Sequence, residues 1–102
     1  MTNIADVSDE YGVTTLMKKC RAGNEHAVIR LVINGANLDL QDGRDITAIM
    51  YACMYNFSDL VYYLAFKGAN LNLKDYRGRS NLDYVRLNGD TDLLRFLMDK
   101  SQ

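Results

Sequence analysis

Apolar residues recur along the chain at helical spacing in three stretches: Ala27, Val28 and Leu31, then Leu60, Val61 and Leu64, then Leu93, Leu94 and Leu97. Each set occupies positions i, i+1 and i+4, which share one face of an α-helix. Upstream of each set lies a shorter segment opened by a hydroxyl residue, Thr14, Thr47 or Ser80, suited to accept amide hydrogen bonds as an N-cap. Gly23, Asn56 and Gly89 close these first segments, all residue types that tolerate a left-handed backbone at a helix end. Ser58 and Thr91, each followed by aspartate, are placed to start the second helix, and Gly35 and Gly68 to end it. The pattern therefore predicts an all-α chain whose unit is helix, turn, helix and loop.

The unit repeats. GANLDLQD beginning at Gly35 returns as GANLNLKD beginning at Gly68, an offset of 33 residues. The same offset aligns Asp9, Asp42 and Asp75, and also Leu16, Ile49 and Leu82. A fixed period of this length marks stacked supersecondary units. It divides a single domain over 1–102 into copies at about 9–41, 42–74 and 75–102.

The pattern D-x-x-G-x-T-x-L, then a glycine, an apolar helix and G-A-N-L-D/N, resembles the ankyrin repeat. The resemblance implies a helical solenoid of paired antiparallel helices. Where that family has T-P-L-H, the copies have Thr14-Thr15-Leu16-Met17, Thr47-Ala48-Ile49-Met50 and Ser80-Asn81-Leu82-Asp83. Loss of the proline removes a preorganised first turn, and loss of the histidine removes a hydrogen-bonding link, so lower stability than an idealised array is expected. Lys19 and Arg30 in the first copy and Arg86 in the last stand at normally apolar positions, as end units facing water require.

Charge narrows the function. The formal net charge of -1 gives no global attraction to nucleic acid or an anionic membrane. The first ten residues lack the basic and apolar regions of a secretory signal, and no later stretch approaches a membrane span, which reads as cytoplasmic. With little sequence outside the repeats, the repeats are expected to carry the whole function.

Candidate chemistry is sparse. His26 is the only histidine and has no nucleophile motif beside it. Cys20 and Cys53, the two cysteines, occupy equivalent places on successive first helices. Such helices lie about 8–10 Å apart, too far for an unstrained disulfide, so both read as buried core fillers. Two thiols do not make a zinc site, and no phosphate loop or nucleophile elbow appears, so no metal, cofactor or catalysis is expected. The aspartate array at 9, 42 and 75 reads as turn-forming, since in the family this residue organises the turn between copies through backbone hydrogen bonds.

By resemblance, binding uses the turn tips and the exposed side of the first helices, the concave surface of the solenoid. Carried over position by position, the tip sites are Glu10, Tyr11 and Val13, then Gln41, Gly43, Arg44 and Ile46, then Lys74, Tyr76, Arg77 and Arg79. The helix sites are Arg21 and Ala22, Met54 and Tyr55, and Leu87 and Asn88. Tyrosine and arginine, enriched in interface hot spots, are frequent in this set. A second stripe, Ile29, Ile33, Tyr62 and Phe66, sits at second-helix positions the family fills with polar residues, and serves as a homodimer contact or second interface in this reading.

The expected function is a stoichiometric protein-binding module that inhibits, shields or neutralises a partner with an acidic or mixed surface, as an antagonist or immunity-type protein. A subunit or scaffold of a larger complex is the alternative. Nucleic-acid binding through Arg44, Arg77, Arg79 and the tyrosines is a reading the net charge opposes.

Overall fold

The computed structural model describes residues 3–101. Among these, six α-helices form three pairs: α1 (Thr15–Arg21) with α2 (Glu25–Ile33), α3 (Ala48–Met54) with α4 (Ser58–Phe66), and α5 (Asn81–Asn88) with α6 (Thr91–Lys100). The first helices stack on one another, α1 against α3 and α3 against α5. The all-α repeat architecture read from the periodicity is the observed one.

Each first helix starts where its hydroxyl residue stands. The Thr14 hydroxyl oxygen accepts from the Met17 N–H at 3.2 Å, and Thr47 does the same from Met50 at 3.2 Å. Met17 and Met50 stand where the resemblance has histidine, and their thioether sulfurs accept from the Thr14 and Thr47 N–H groups. In the third pair the Asp83 carboxylate takes that role, accepting the Ser80 N–H at 2.9 Å. The helices stop as their end residues dictate: Gly23, Asn56 and Gly89 have φ of 69°, 60° and 75°.

The second helices begin differently from the sequence reading. Ser58 and Thr91 are the first helical residues rather than the caps, which lie one position earlier. Asn24 and Asp90 supply capping oxygens to Ala27 and Leu93 N–H, whereas Phe57 at the equivalent place makes no side-chain cap. The Ser58 hydroxyl is instead turned to the next pair, donating to the Asp90 carboxylate at 3.0 Å.

The core runs along the stack. Every residue of α3 but Met54 is buried, because this helix has a neighbour on each side. Of the predicted stripes, Leu60, Val61 and Leu64 are all buried in the middle pair, but only Val28 is in the first, and Leu94 is half-exposed in the third. Arg30 and Arg86 face water, as end units demand, whereas Lys19 is partly buried.

A feature the sequence reading missed lies ahead of α1. Residues 3–9, NIADVSD, are in register with 36–42 and 69–75 at the same offset. They behave accordingly: Ile4–Asp6 forms one 3-10 turn, Ala5 is buried against α1, and the Asp6 carboxylate accepts the Asn37 N–H at 2.9 Å. Asp39 repeats that bond to Asn70 N–H at 2.8 Å, so loop carboxylates tie successive copies together.

Candidate functional site

The loops between helix pairs project as three tips, each built by one aspartate. Asp9 Oδ1 accepts from Tyr11 and Val13 N–H at 2.9 and 3.0 Å. Asp42 does so from Arg44 and Ile46 at 2.8 and 3.0 Å, and Asp75 from Arg77 and Arg79 at 2.9 Å each. Each tip also closes on itself through backbone, the aspartate N–H donating to the carbonyl four residues on. These carboxylates are therefore structural, as the resemblance implied.

Adjacent tips interlock. Gly43 N–H donates to Tyr11 carbonyl and Tyr76 N–H to Arg44 carbonyl, both at 2.9 Å. Gln41 Nε2 bridges Asp45 and Lys74 carbonyls at 2.8 and 3.1 Å. Contact is close enough that a Cβ on Gly43 would stand 3.0 Å from the Tyr11 carbonyl oxygen. The tips are thus a single braced row rather than three independent loops.

The second carboxylate oxygen of each aspartate anchors the tip to the helix behind it. Asp9 pairs with Lys18 at 3.4 Å, while Asp42 and Asp75 accept the Tyr51 and Tyr84 hydroxyls. Burial pushes the Tyr84 hydroxyl up to about 12, with the Asp75 hydrogen bond adding to it, and raises Tyr51 in the same way beside Asp42. At Asp75, burial works upward but is outweighed by the Tyr84 hydroxyl and the Arg79 and Arg77 amides, leaving the carboxyl lowered. Asp9 is lowered too, its burial outweighed by the Val13 and Tyr11 amides and by Lys18.

Behind the first two tips opens a hollow of about 960 Å³. The structure brings ten of the sequence-predicted residues to it: Glu10, Tyr11, Val13, Arg21, Gln41, Gly43, Arg44, Ile46, Met54 and Tyr55. Lys74, Tyr76, Arg77 and Arg79 lie outside the hollow, on and beside the third tip. Tyr11, Tyr55 and Tyr76 are 69%, 53% and 56% exposed, large rings open to a partner. Val13 and Ile46 are corrections to the picture of exposed tip residues: both are buried, because the chain closing the first and second tips turns back over the first helices and its apolar side chain joins the core.

Several arginines are held against rings. The Arg21 guanidinium lies 5.9 Å from the centre of the Tyr51 ring, Arg77 5.2 Å from Tyr76 and Arg79 5.9 Å from Tyr84. Among the described residues the salt bridges are Lys18–Asp9 and Arg86–Asp83, so none involves Arg21, Arg44, Arg77 or Arg79. Sequence reading passed over Tyr51, which lines the hollow and braces it; the signal was the nine-residue spacing from Asp42, repeated between Asp75 and Tyr84. Of the other helix positions, Leu87 is exposed, while Asn88 is engaged, donating to the Cys53 carbonyl at 2.6 Å.

The second stripe is narrower than its spacing implied. Ile29, Ile33 and Phe66 are exposed, but Tyr62 is partly buried and packs edge-on against Phe96 of α6, ring centres 4.7 Å apart. The aromatic residue that α6 supplies, one position beyond the equivalent Arg95, covers it. Cys20 and Cys53 are unpaired and buried, and burial pushes both thiols up to about 12. His26 is exposed. Among the described residues no three His, Cys, Asp or Glu side chains gather as a metal site requires, and no helix is long and apolar enough to cross a membrane.

Comparison with known proteins adds one positive finding. A family model described as ankyrin repeats matches residues 16–102 in three copies. Among curated proteins no relative matches the chain.

Proposed function

This chain belongs to the ankyrin-repeat family, whose repeats are protein-protein interaction modules, and from that premise we propose that it engages one protein partner through the tip row and the hollow behind it. The observation that carries this is the placement of arginines without carboxylate partners beside exposed tyrosines on one braced surface. Such residues dominate interface energetics when a partner covers them. Preorganised tips also lower the ordering cost of association.

A single braced face engages one partner by occupying its surface, which favours inhibition, shielding or neutralisation over bridging; an acidic or mixed surface complements the arginines. Capture from the source organism followed by mass spectrometry identifies the partner. Calorimetry on Arg44→Ala, Arg77→Ala and Tyr55→Ala then tests the face, with at least one variant expected to weaken the complex by about 2 kcal/mol or more. A stoichiometric loss of the partner's activity on addition of this protein is expected for the inhibitory role. Unchanged affinity in all three variants would remove the tip row as the binding surface.

A further inference from the structure

The three helix pairs are not held equally. The middle pair has a neighbour on each side, and residues 3–9 add a further layer to the first, with Ala5 buried against α1. In the third pair α5 packs on α3 and α6 on α4, and Leu82 and Leu94 are left half-exposed where their middle-pair equivalents, Ile49 and Val61, are buried. A unit with one neighbour in a stacked array gains one interface instead of two. That interface also contains a defect. Asn81, the first residue of α5, is 1% exposed, and its Nδ2 meets no acceptor among the described residues. Its Oδ1 faces the Cys53 thiol of α3 at 4.0 Å, a weak donor. The equivalent residue of the middle pair is Ala48, buried to 2% exposure with no side-chain polar atom to satisfy. A buried donor left unpaired forfeits its hydration in the fold and regains it when the interface opens, so Asn81 favours opening at this boundary.

The third tip depends on that boundary. Asp75 builds the tip by accepting the Arg77 and Arg79 amides, and its anchor is the Tyr84 hydroxyl of α5. The first two tips take their anchors from Lys18 of α1 and Tyr51 of α3. Bonds from the second tip reach Lys74 and Tyr76 but not the Arg77–Arg79 side of the turn. Opening of the third pair breaks the Ser58–Asp90 and Asn88–Cys53 hydrogen bonds and parts Tyr62 from Phe96. It removes the Tyr84 anchor from the third tip, while every residue lining the hollow behind the first two tips belongs to the part that stays folded.

We propose that α5 and α6 open from the stack as one unit before the rest of the chain unfolds, that the Arg77–Arg79 side of the third tip loosens with them, and that Asn81 sets the population of the open form. Proteins open in such contiguous units at free energies below that of global unfolding. On the binding face this separates a fixed part, the hollow behind the first two tips, from a part that is shaped only while the third pair is docked. A partner that contacts Arg77 or Arg79 in their docked arrangement shifts the population toward the closed form. That consequence rests on the tip row being the binding face. The opening itself does not, so the two can fail separately.

The test is amide hydrogen exchange on the full chain, resolved residue by residue by NMR. In the wild type, the helical amides of α5 and α6 and the amides of Arg77 and Arg79 are expected to be protected at least about tenfold less than those of α3 and of Arg44 and Ile46. Asn81→Ala, which installs the residue type of the middle pair, is expected to raise protection across α5, α6 and the third tip by about tenfold, the scale of one unmet buried donor removed. Circular dichroism of the variant should match the wild type. Equal protection of all six helices overturns the proposal, as do Arg77 and Arg79 amides that follow Arg44 and Ile46 instead of α5. Unchanged or lowered protection in Asn81→Ala overturns it as well, since the Asn81 amide would then be satisfied in the closed form. A captured partner that depends on Arg44 and Tyr55 would in those cases leave the binding face standing and remove only its division into fixed and opening parts.

Discussion

At the scale of the residue, the unusual investment is in the tip aspartates, each satisfied by two amides and one side chain from the helix behind. Tyr51→Phe or Tyr84→Phe removes a donor from a buried carboxylate and is expected to cost about 1–3 kcal/mol in chemical denaturation. Lys18→Met at the exposed first tip is expected to cost less than either tyrosine change, since solvent screens that pair. The pH dependence follows from the shifts. Tyr84 is raised in the fold, so its contribution is complete below its unfolded value near pH 10 and is lost as pH climbs toward about 12. Asp75 and Asp9 are lowered, so theirs is present above about pH 4 and lost as pH falls below it. Thermal melts across pH should show a plateau bounded on both sides, with the alkaline loss reduced in Tyr84→Phe. The aspartates were legible in the sequence because they recur in all three copies. Their partners were not, because Lys18 breaks the tyrosine pattern in the first. Val13 and Ile46 show the opposite error: their tip position was right, but sequence register does not reveal which way a hairpin side chain points.

At the scale of the element, end signals decided the helices more firmly than propensity did. Positive φ at Gly23, Asn56 and Gly89 was readable from residue type, yet the three sites are not equivalent. A Cβ on Gly23 would meet the partly buried Phe57 ring at 2.7 Å, whereas on Gly89 it would meet nothing within 4 Å. Gly89→Ala is expected to cost the backbone penalty alone, about 1–2 kcal/mol. Gly23→Ala should cost at least about 1 kcal/mol more, because it also overpacks the ring. Urea denaturation of the two variants checks this, and equal losses would mean that Phe57 swings aside freely. Second-helix starts were misplaced by one residue because Ser58 and Thr91 are good caps by type, while Asp90 and Asn24 won the capping position and Ser58 bonded across copies instead. In the middle pair, Leu64 is fully buried, and Leu64→Ala is expected to destabilise by about 2–5 kcal/mol.

At the scale of the whole molecule, the period alone conveyed the architecture, since each unit contacts only its neighbours and the fold is their stack. What the period did not convey is which outward residues a neighbouring copy covers, and the second stripe depends on that. Tyr62 touches Phe96 across one copy boundary, while Phe66 and Ile33 are 77% and 71% exposed. Lysine substitution separates them. Phe66→Lys and Ile33→Lys should shift stability by no more than about 0.5 kcal/mol, as exposed changes away from caps and core do. Tyr62→Lys removes an edge-on aromatic pair and places a charge against the third copy, for an expected loss of about 1–3 kcal/mol. The same variants test a role for this stripe in self-association. Three apolar side chains, Ile29, Ile33 and Phe66, make a small contact compared with the buried area of a stable dimer, so any association through them should be weak and concentration-dependent. Sedimentation at high protein concentration is the measurement. An average mass above the monomer that falls to the monomer in Phe66→Lys, with the helical signal unchanged, identifies the stripe as the contact. A wild-type protein that stays monomeric throughout assigns no homodimer to this face and leaves binding to the tips.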